Sequence, residues 1–463
     1  MATKRAPISS PPSPAPSRPP YMLIEQIQVK GYKSLVDATL HVRPLTLLAG
    51  TNSSGKSSIM QPLLLIKQTM EAPYQPAGAL VLGGENTHVD ITNAEQILSK
   101  VSGASGNTFS INFIGSYRNP GNQYAAHHMY LEMGYEATGD NFINTYQSSM
   151  TNYGMPVTLR PNMSWEEIML ALPQDITTSF SKNNFTAQVY LVNAFRQIEF
   201  LNKLNGKVSG IIFSNFLQNT LSRVFHVPGL RANPKRSYSN TFFREFIKGT
   251  FDLYAAGAIS QWQQQENTVA LTQLNNYLRR LGLTDSVVAK IKNANEIELS
   301  VSRLPAGHKA KAKKSDMVNI ADVGIGVSQV LPILVALIAA QDGQIVYVEQ
   351  PELHLHPRAQ VVMAELLAEA ANRGVRVIVE THSSLLLLTV QTLVAEEKIK
   401  NTDVALHWFA RDAKGATQVT YKQPDEDGAY GEWPEDFGDV ELKAQDAYLT
   451  AVGLRQFGKA SRR

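Results

Sequence analysis

From Tyr21 to Tyr32 (YMLIEQIQVKGY) apolar and polar residues alternate, the two-residue period of a half-buried strand. LVDATLHV (35–42) predicts a second strand. PLTLLAG (44–50) predicts a third, apolar throughout and therefore covered on both faces. A helix is expected to open near Gly55 and run through KSSIMQPLLLIKQTM (56–70), until APYQPAG (72–78) stops it with two prolines. Residues 107–160 are rich in Tyr, Thr, Ile and Asn. There TFSINFIGSY (108–117) and HHMYLEMGYEA (127–137) predict an antiparallel meander. From 164 to 225 the apolar steps lengthen to three and four residues. TAQVYLVNAFRQIEFLNKL (186–204) and IFSNFLQNTLSRVF (212–225) are therefore predicted as helices, followed by two more between 241 and 281. IELSVSRL (297–304) returns to a strand pattern.

The C-terminal half has a different rhythm. ADVGIGVSQVLPILVALIAA (321–340) is a Gly-containing turn feeding a helix, and GQIVYVEQ (343–350) is a strand. PRAQVVMAELLAEAANR (357–373) is an amphipathic helix, VRVIVETHS (375–383) another buried strand, and SLLLLTVQTLVAEEK (384–398) another helix. Alternating strands and helices predict an α/β fold with a parallel sheet covered by helices. Neither an internal repeat nor sustained heptads are present.

Composition narrows the chemistry. The 463 residues are 43% hydrophobic and 18% charged, with no cysteine. Disulfides, thiolate zinc sites and thiol nucleophiles are excluded, and a reducing, cytoplasmic setting is expected. A formal net charge of +3 gives no argument for wholesale nucleic-acid binding. The longest apolar run, VLPILVALIAA (330–340), falls short of the roughly 20 residues that span a bilayer, so no membrane partner is expected. Residues 1–20 are Pro/Ser-rich without an apolar core, and predict a disordered leader rather than a secretory signal.

GTNSSGKSS (50–58) fits G-x-x-x-x-G-K-[ST], directly after an apolar strand and directly before a helix, which is the context that motif requires. Glycines let the backbone wrap a phosphate, and N–H groups from Asn52 through Ser58 would point at it, aided by the helix N-terminus. Lys56 would reach the terminal phosphates of ATP, and the Ser57 hydroxyl would ligate Mg²⁺. Without strand, loop and helix in sequence, the same residues would be a Gly/Ser turn with an exposed lysine. Glu349, ending VYVE, is the candidate for orienting the metal, directly or through water; taken alone it would be a solvated strand cap. His382, ending VIVETH, is the candidate for sensing the terminal phosphate or holding the attacking water, because polar residues at the carboxyl ends of parallel strands line ligand crevices.

In this order the segments resemble the ABC-type ATPases of the SMC and RecF kind. The likeness is nearer still to the bacterial group of overcoming-lysogenisation-defect (OLD) proteins and antiphage defence ATPases. The matching residues are GYKSLVDATLHVRPLTLLAGTNSSGKSS (31–58), DVGIGVSQVLP (322–332), VEQPELHLHPRAQ (348–360) and ETHSS (380–384). Together with HVPGLRANPKRSY (226–238) they look most like the ATPase subunit of Septu-type systems, which works with an HNH nuclease. The resemblance implies an ABC-type ATPase head, with the phosphate loop and an antiparallel β lobe in 21–163, a largely helical insertion in 164–295, and signature, Walker B and His loops in 296–463. It implies that Gly324, Gly326, Ser328 and Gln329 form a signature loop facing the γ-phosphate held by an opposite subunit. The protein would then be a homo-oligomer, at least a dimer, with LHLHP (353–357) crossing the seam. His354 and His356 are then interface residues rather than metal ligands, since a metal site usually needs a third and fourth ligand. SMC-type coiled coils are lacking between the halves. Roughly 80 residues follow His382, which predicts too little chain for the TOPRIM nuclease of OLD proteins.

The resemblance also places an amide, Gln350, where the family's water-polarising acid stands. An amide orients water but takes no proton, and losing a general base typically costs about 10²- to 10⁴-fold in rate. Glu352 substitutes only if its loop turns it inward. The expectation is an ATPase that binds ATP well and hydrolyses it slowly, with any nuclease on a separate chain. Arg231, Lys235 and Arg236, and the cluster Lys309, Lys311, Lys313 and Lys314, are solvated loop cations or contacts to DNA or RNA phosphates, tRNA included; the two arginines could instead face nucleotide or an adjoining subunit. Two function classes stay open: the regulatory ATPase of an antiviral nuclease complex, and a RecF-like DNA-maintenance ATPase. A transporter ATPase is disfavoured because the two site halves are separated by an insertion that those proteins lack.

Overall fold

The apolar segments become the middle of one sheet. The computed structural model describes residues 20–73, 80–85, 87–101, 103, 106–118, 128–137, 143–152, 155–172, 174–192, 195–211, 215–241, 247–303, 316–431 and 446–452. All of the expected leader (1–20) except Pro20, and the lysine cluster at 309–314, lie outside the described residues. β1 (Tyr21–Tyr32), β2 (Leu35–His41) and β3 (Leu45–Gly50) lead into α1 (Lys56–Glu71). Then come β4 (Thr108–Arg118), β5 (His128–Ala137), β6 (Ile143–Asn152), β7 (Met155–Leu159), α2 (Trp165–Ala171), α3 (Gln174–Thr177), β8 (Phe185–Val192), β9 (Phe195–Asn202) and β10 (Val208–Ile211). α4 (Asn215–Ser222), β11 (Phe225–Val227), β12 (Tyr238–Ser239), α5 (Ala255–Gln264), α6 (Thr268–Arg280), β13 (Val287–Asn293), β14 (Glu296–Ser302) and β15 (Met317–Asn319) follow. The last block is α7 (Ile325–Ala339), β16 (Ile345–Glu349), α8 (Pro357–Asn372), β17 (Arg376–Glu380), α9 (Ser384–Ala395), β18 (Val404–Arg411) and β19 (Thr417–Lys422).

The central sheet runs β11-β16-β17-β3-β18-β19, parallel except for β19. Its inner strands β16, β17 and β3 are largely apolar because both faces are covered. Val346, Val348, Val377, Val379, Leu45 and Leu47 point into one core with α5 to α9. Ile345, Tyr347, Ile378 and Leu48 point into another with α1, α4 and the antiparallel sheet β2-β1-β4-β5-β6-β7. The fold is therefore α/β with parallel and antiparallel sheets, as the alternation predicts. Glu349 is the register partner of Glu380, and Glu380 that of Leu48, so both acids end neighbouring strands on the α1 side.

One stretch differs from expectation. Residues 186–204, predicted as a helix, form the hairpin β8–β9, with Phe185 opposite Asn202 and Val192 opposite Phe195, and β10 alongside. Phe185, Ala187 and Val189 are half-buried while Thr186, Gln188 and Tyr190 are exposed, a strict two-residue period. Ile198 and Phe200, also two apart, are fully buried in a small satellite core. β-branched and aromatic residues at alternate positions outweigh the coincidental three- and four-residue steps. The region expected to be largely helical is thus mixed, with helices α4, α5 and α6 where predicted.

Candidate functional site

The loop between β3 and α1 is shaped by backbone that side chains would obstruct. Gly50 has φ +142°, and a Cβ there would lie 2.1 Å from Phe409 O; Gly55 has φ +100°, and a Cβ there would lie 2.6 Å from Thr417 Oγ1. From outside, Arg411 Nε donates to Ser53 O (2.8 Å) and Thr417 Oγ1 to Ser54 O (2.7 Å). Inside, Lys56 is 4% exposed, and its Nζ donates to Gly50 O (3.0 Å) and Thr51 O (2.7 Å). Burial pulls its pKa below the ordinary lysine range, opposed by Glu380 and Glu352. Ser54 Oγ is buried without a hydrogen-bond partner. Thr51, Asn52 and Ser53 are exposed at the loop's tip, and Ser58 is half-buried in the first turn of α1. A buried ammonium, an orphaned hydroxyl and a helix N-terminus in one loop suit a polyphosphate.

The acids divide in a way the motifs do not foretell. Ser57 Oγ donates to Glu380 Oε1 (2.9 Å), not to Glu349, and Tyr347 OH donates to Glu380 Oε2 (3.1 Å). Glu349 turns toward β11: its Oε1 meets His226 Nε2 (3.1 Å) and its Oε2 accepts from Gly229 N (3.0 Å). Burial pushes the Glu349 carboxyl up, but the His226 and Gly229 contacts outweigh it and hold it below the usual range. Burial, then the Glu349 charge, push Glu380 above it. Gln350 follows with φ +46°; its N–H donates to Glu380 O (2.7 Å), and Arg231 donates to the carbonyls of Glu349 (3.1 Å) and Gln350 (3.3 Å). Glu352 is turned inward: its Oε1 accepts from His382 N (2.7 Å), and burial raises its pKa. His382 is exposed, its pKa lowered by partial burial and by the Lys56 charge.

Behind Glu349 runs a buried polar line. His226 Nδ1 meets His88 Nδ1 (3.3 Å), His88 Nε2 meets Glu71 Oε2 (3.1 Å), and Glu71 Oε1 pairs with Lys67 Nζ (2.6 Å). Both rings are buried, and burial, reinforced by the Lys67 charge, lowers the His88 pKa from 6.5 to about 4.

The remaining candidates spread around this centre. Gly324 and Ile325 are exposed where α7 begins, and Ser328 Oγ donates to Ile325 O (2.8 Å). Gln329, expected beside them at the nucleotide, is 2% exposed and donates to the carbonyls of Arg231 (3.4 Å) and Ala232 (3.1 Å), so its amide supports the 228–232 loop. Gly326 is half-buried near His354 O. His356 caps α8, its ring accepting from Arg358 N, and His354 is exposed at φ +66°. Arg231 is buried at the strand end, which removes it from the solvated cations. Lys235 is exposed, and Arg236 pairs with Asp322 (2.7 Å). Among the described residues, no three His, Cys, Asp or Glu side chains form a metal cage. The motifs missed Glu380, His226 and His88. The one available signal was that ETHSS begins with an acid at a strand end.

The family model described as AAA ATPase domain (AAA_15) matches residues 22–387. No curated protein matches the sequence. Among solved structures, an SMC head bound to the C-terminal winged-helix domain of ScpA is similar at 12% identity over 87% of this chain and 98% of that one, with a TM-score of 0.46. An SMC head with extended coiled coil, bound to the C-terminal domain of ScpA and derived from Pyrococcus furiosus, gives 11%, 87%, 96% and 0.45; the SMC head of Thermotoga maritima gives 11%, 86%, 98% and 0.37.

Proposed function

Because this chain belongs to the AAA ATPase domain family, we propose that it binds Mg·ATP at the β3–α1 loop, hydrolyses it slowly, and with that nucleotide regulates a separate HNH-type nuclease in a bacterial antiphage defence complex. The observation that carries slow hydrolysis is Gln350, which puts a side-chain amide just after β16, where its backbone is held by the N–H on Glu380 O and the carbonyl on Arg231. Lys56 would exchange its loop carbonyls for the terminal phosphates, and Ser57 with the strand-end acids would hold the metal. Bound Mg²⁺ neutralises charge on the phosphates. Gln350 orients the attacking water without taking its proton. Residual turnover passes through Glu352, inward-facing beside His382. Gly324, Gly326 and Ser328 of a second copy close the site, with Gln329 beneath them. The defence role draws on the sequence resemblance at 226–238 and 348–360.

Steady-state phosphate release tests the reading. Gln350→Glu is expected to raise turnover by about 10² or more, and Glu352→Gln to abolish what the wild type retains. Brisk wild-type turnover that Gln350→Glu leaves unchanged rules out the slow-hydrolysis reading. Stimulation by gapped DNA without any protein partner points to a DNA-maintenance ATPase instead.

A further inference from the structure

Glu380 stands closer to the phosphate loop than the acid the motif nominates. The sheet order explains this. β17 lies directly beside β3, whereas β16, which carries Glu349, lies one strand further away. Glu380 therefore reaches Ser57 Oγ at 2.9 Å, while both Glu349 oxygens are engaged by His226 and Gly229 on the far side. Glu380 is 5% exposed, and its second oxygen is held by Tyr347 OH. A buried carboxylate with a like charge as its register partner is costly unless a cation joins them. Lys56 is near, but its Nζ bonds to loop carbonyls rather than to Glu380. Mg²⁺ is commonly bound through one or two carboxylates plus substrate phosphates, not by an all-protein cage. A hydroxyl and a carboxylate in contact beside a phosphate loop make such a donor set.

We propose that Glu380 is the carboxylate that, with Ser57, holds the magnesium ion of this site, and that Glu349, anchored by His226, serves as its neighbour rather than as the principal ligand. This rests on the nucleotide reading above and assigns its metal site. Tyr347 orients Glu380 from behind.

The test is the affinity of the full-length chain for a fluorescent ATP analogue, measured in Mg²⁺ and again in EDTA. Glu380→Gln keeps an acceptor for Ser57 Oγ and removes the charge, and its amide NH₂ then donates to the Tyr347 hydroxyl instead of accepting from it. It is expected to erase about 10- to 100-fold of the tightening that Mg²⁺ gives the wild type, with the EDTA affinity not reduced, because without the metal the lost charge only repelled the phosphates. Glu349→Gln is expected to erase less, and Glu380→Asp to restore part. Two results overturn the proposal: a full Mg²⁺ gain in Glu380→Gln, or an equal loss with and without Mg²⁺, which marks a purely structural contact. A wild type that ignores the nucleotide in both conditions overturns the parent reading, and this one with it. If Glu380→Gln does not fold by circular dichroism, Tyr347→Phe carries the test: a reduced Mg²⁺ gain supports the proposal and an unchanged gain overturns it.

Discussion

Glu349 and Glu380 differ in nothing that composition records, yet their surroundings push them in opposite directions. One carboxylate accepts from His226 and Gly229 and is held low; the other is buried beside a like charge and is pushed high. Such splitting is how neighbouring acids take different roles. His407 shows the same logic away from the site. It is fully buried on β18, its Nε2 accepts from His41 N (2.9 Å), and its Nδ1 has no partner. Burial, then the neighbouring His41, lower its pKa from 6.5 to about 3. Unfolded, His407 binds a proton near 6.5; folded, it resists until about 3. In that window the unfolded state holds more protons, so its contribution to stability is full above 6.5 and is lost as pH falls toward 3. His407→Gln keeps an acceptor but cannot titrate. Thermal unfolding from neutral to acid pH is expected to fall less steeply in the variant than in the wild type; parallel profiles contradict this.

Among the elements, α1 ties the β3–α1 loop to the buried polar line. Its first turn supplies Lys56 and Ser57, and its far end supplies Lys67 and, four residues on, Glu71. Lys67 is fully buried against Glu71 and donates to the carbonyls of Ser222 and Ile247 (both 3.3 Å), joining α1 to the end of α4 and to the loop that precedes α5. Removing one partner of a buried pair leaves a charge uncompensated. Lys67→Met is therefore expected to cost about 3–5 kcal/mol in urea unfolding, and Glu71→Gln added to it to recover part. A loss under about 1 kcal/mol would show the pair to be as weak as a surface bridge. The β8–β9 hairpin teaches a different lesson. Its apolar residues satisfy both a helical and a strand count, and only the packing of Ile198 and Phe200 against α2 and its neighbours selects the strand.

At the scale of the molecule, β3 sits between β17 and β18, so the ATPase sheet cannot close until both ends of the chain have met. The exposed start of α7, with Gly324 opening into free space, lies at the surface where the proposed second copy would bring its nucleotide. Light scattering in Mg·ATP is expected to give at least twice the monomer mass, falling back to one chain in Ser328→Arg. A wild type that stays monomeric in Mg·ATP refutes the shared site.

Periodicity and motif spacing alone determined the alternating α/β order, the buried strands, the glycine-bearing loop between β3 and α1 and the amide at 350. Each of those is a local property: a few residues in sequence fix the backbone or state the chemistry. The hairpin at 186–204, the partner of Ser57, the anchoring of Glu349 by His226 and the burial of Arg231 and Gln329 were decided only by the tertiary structure. In each case the deciding contact joins residues far apart in the chain, through a strand order that no local pattern encodes.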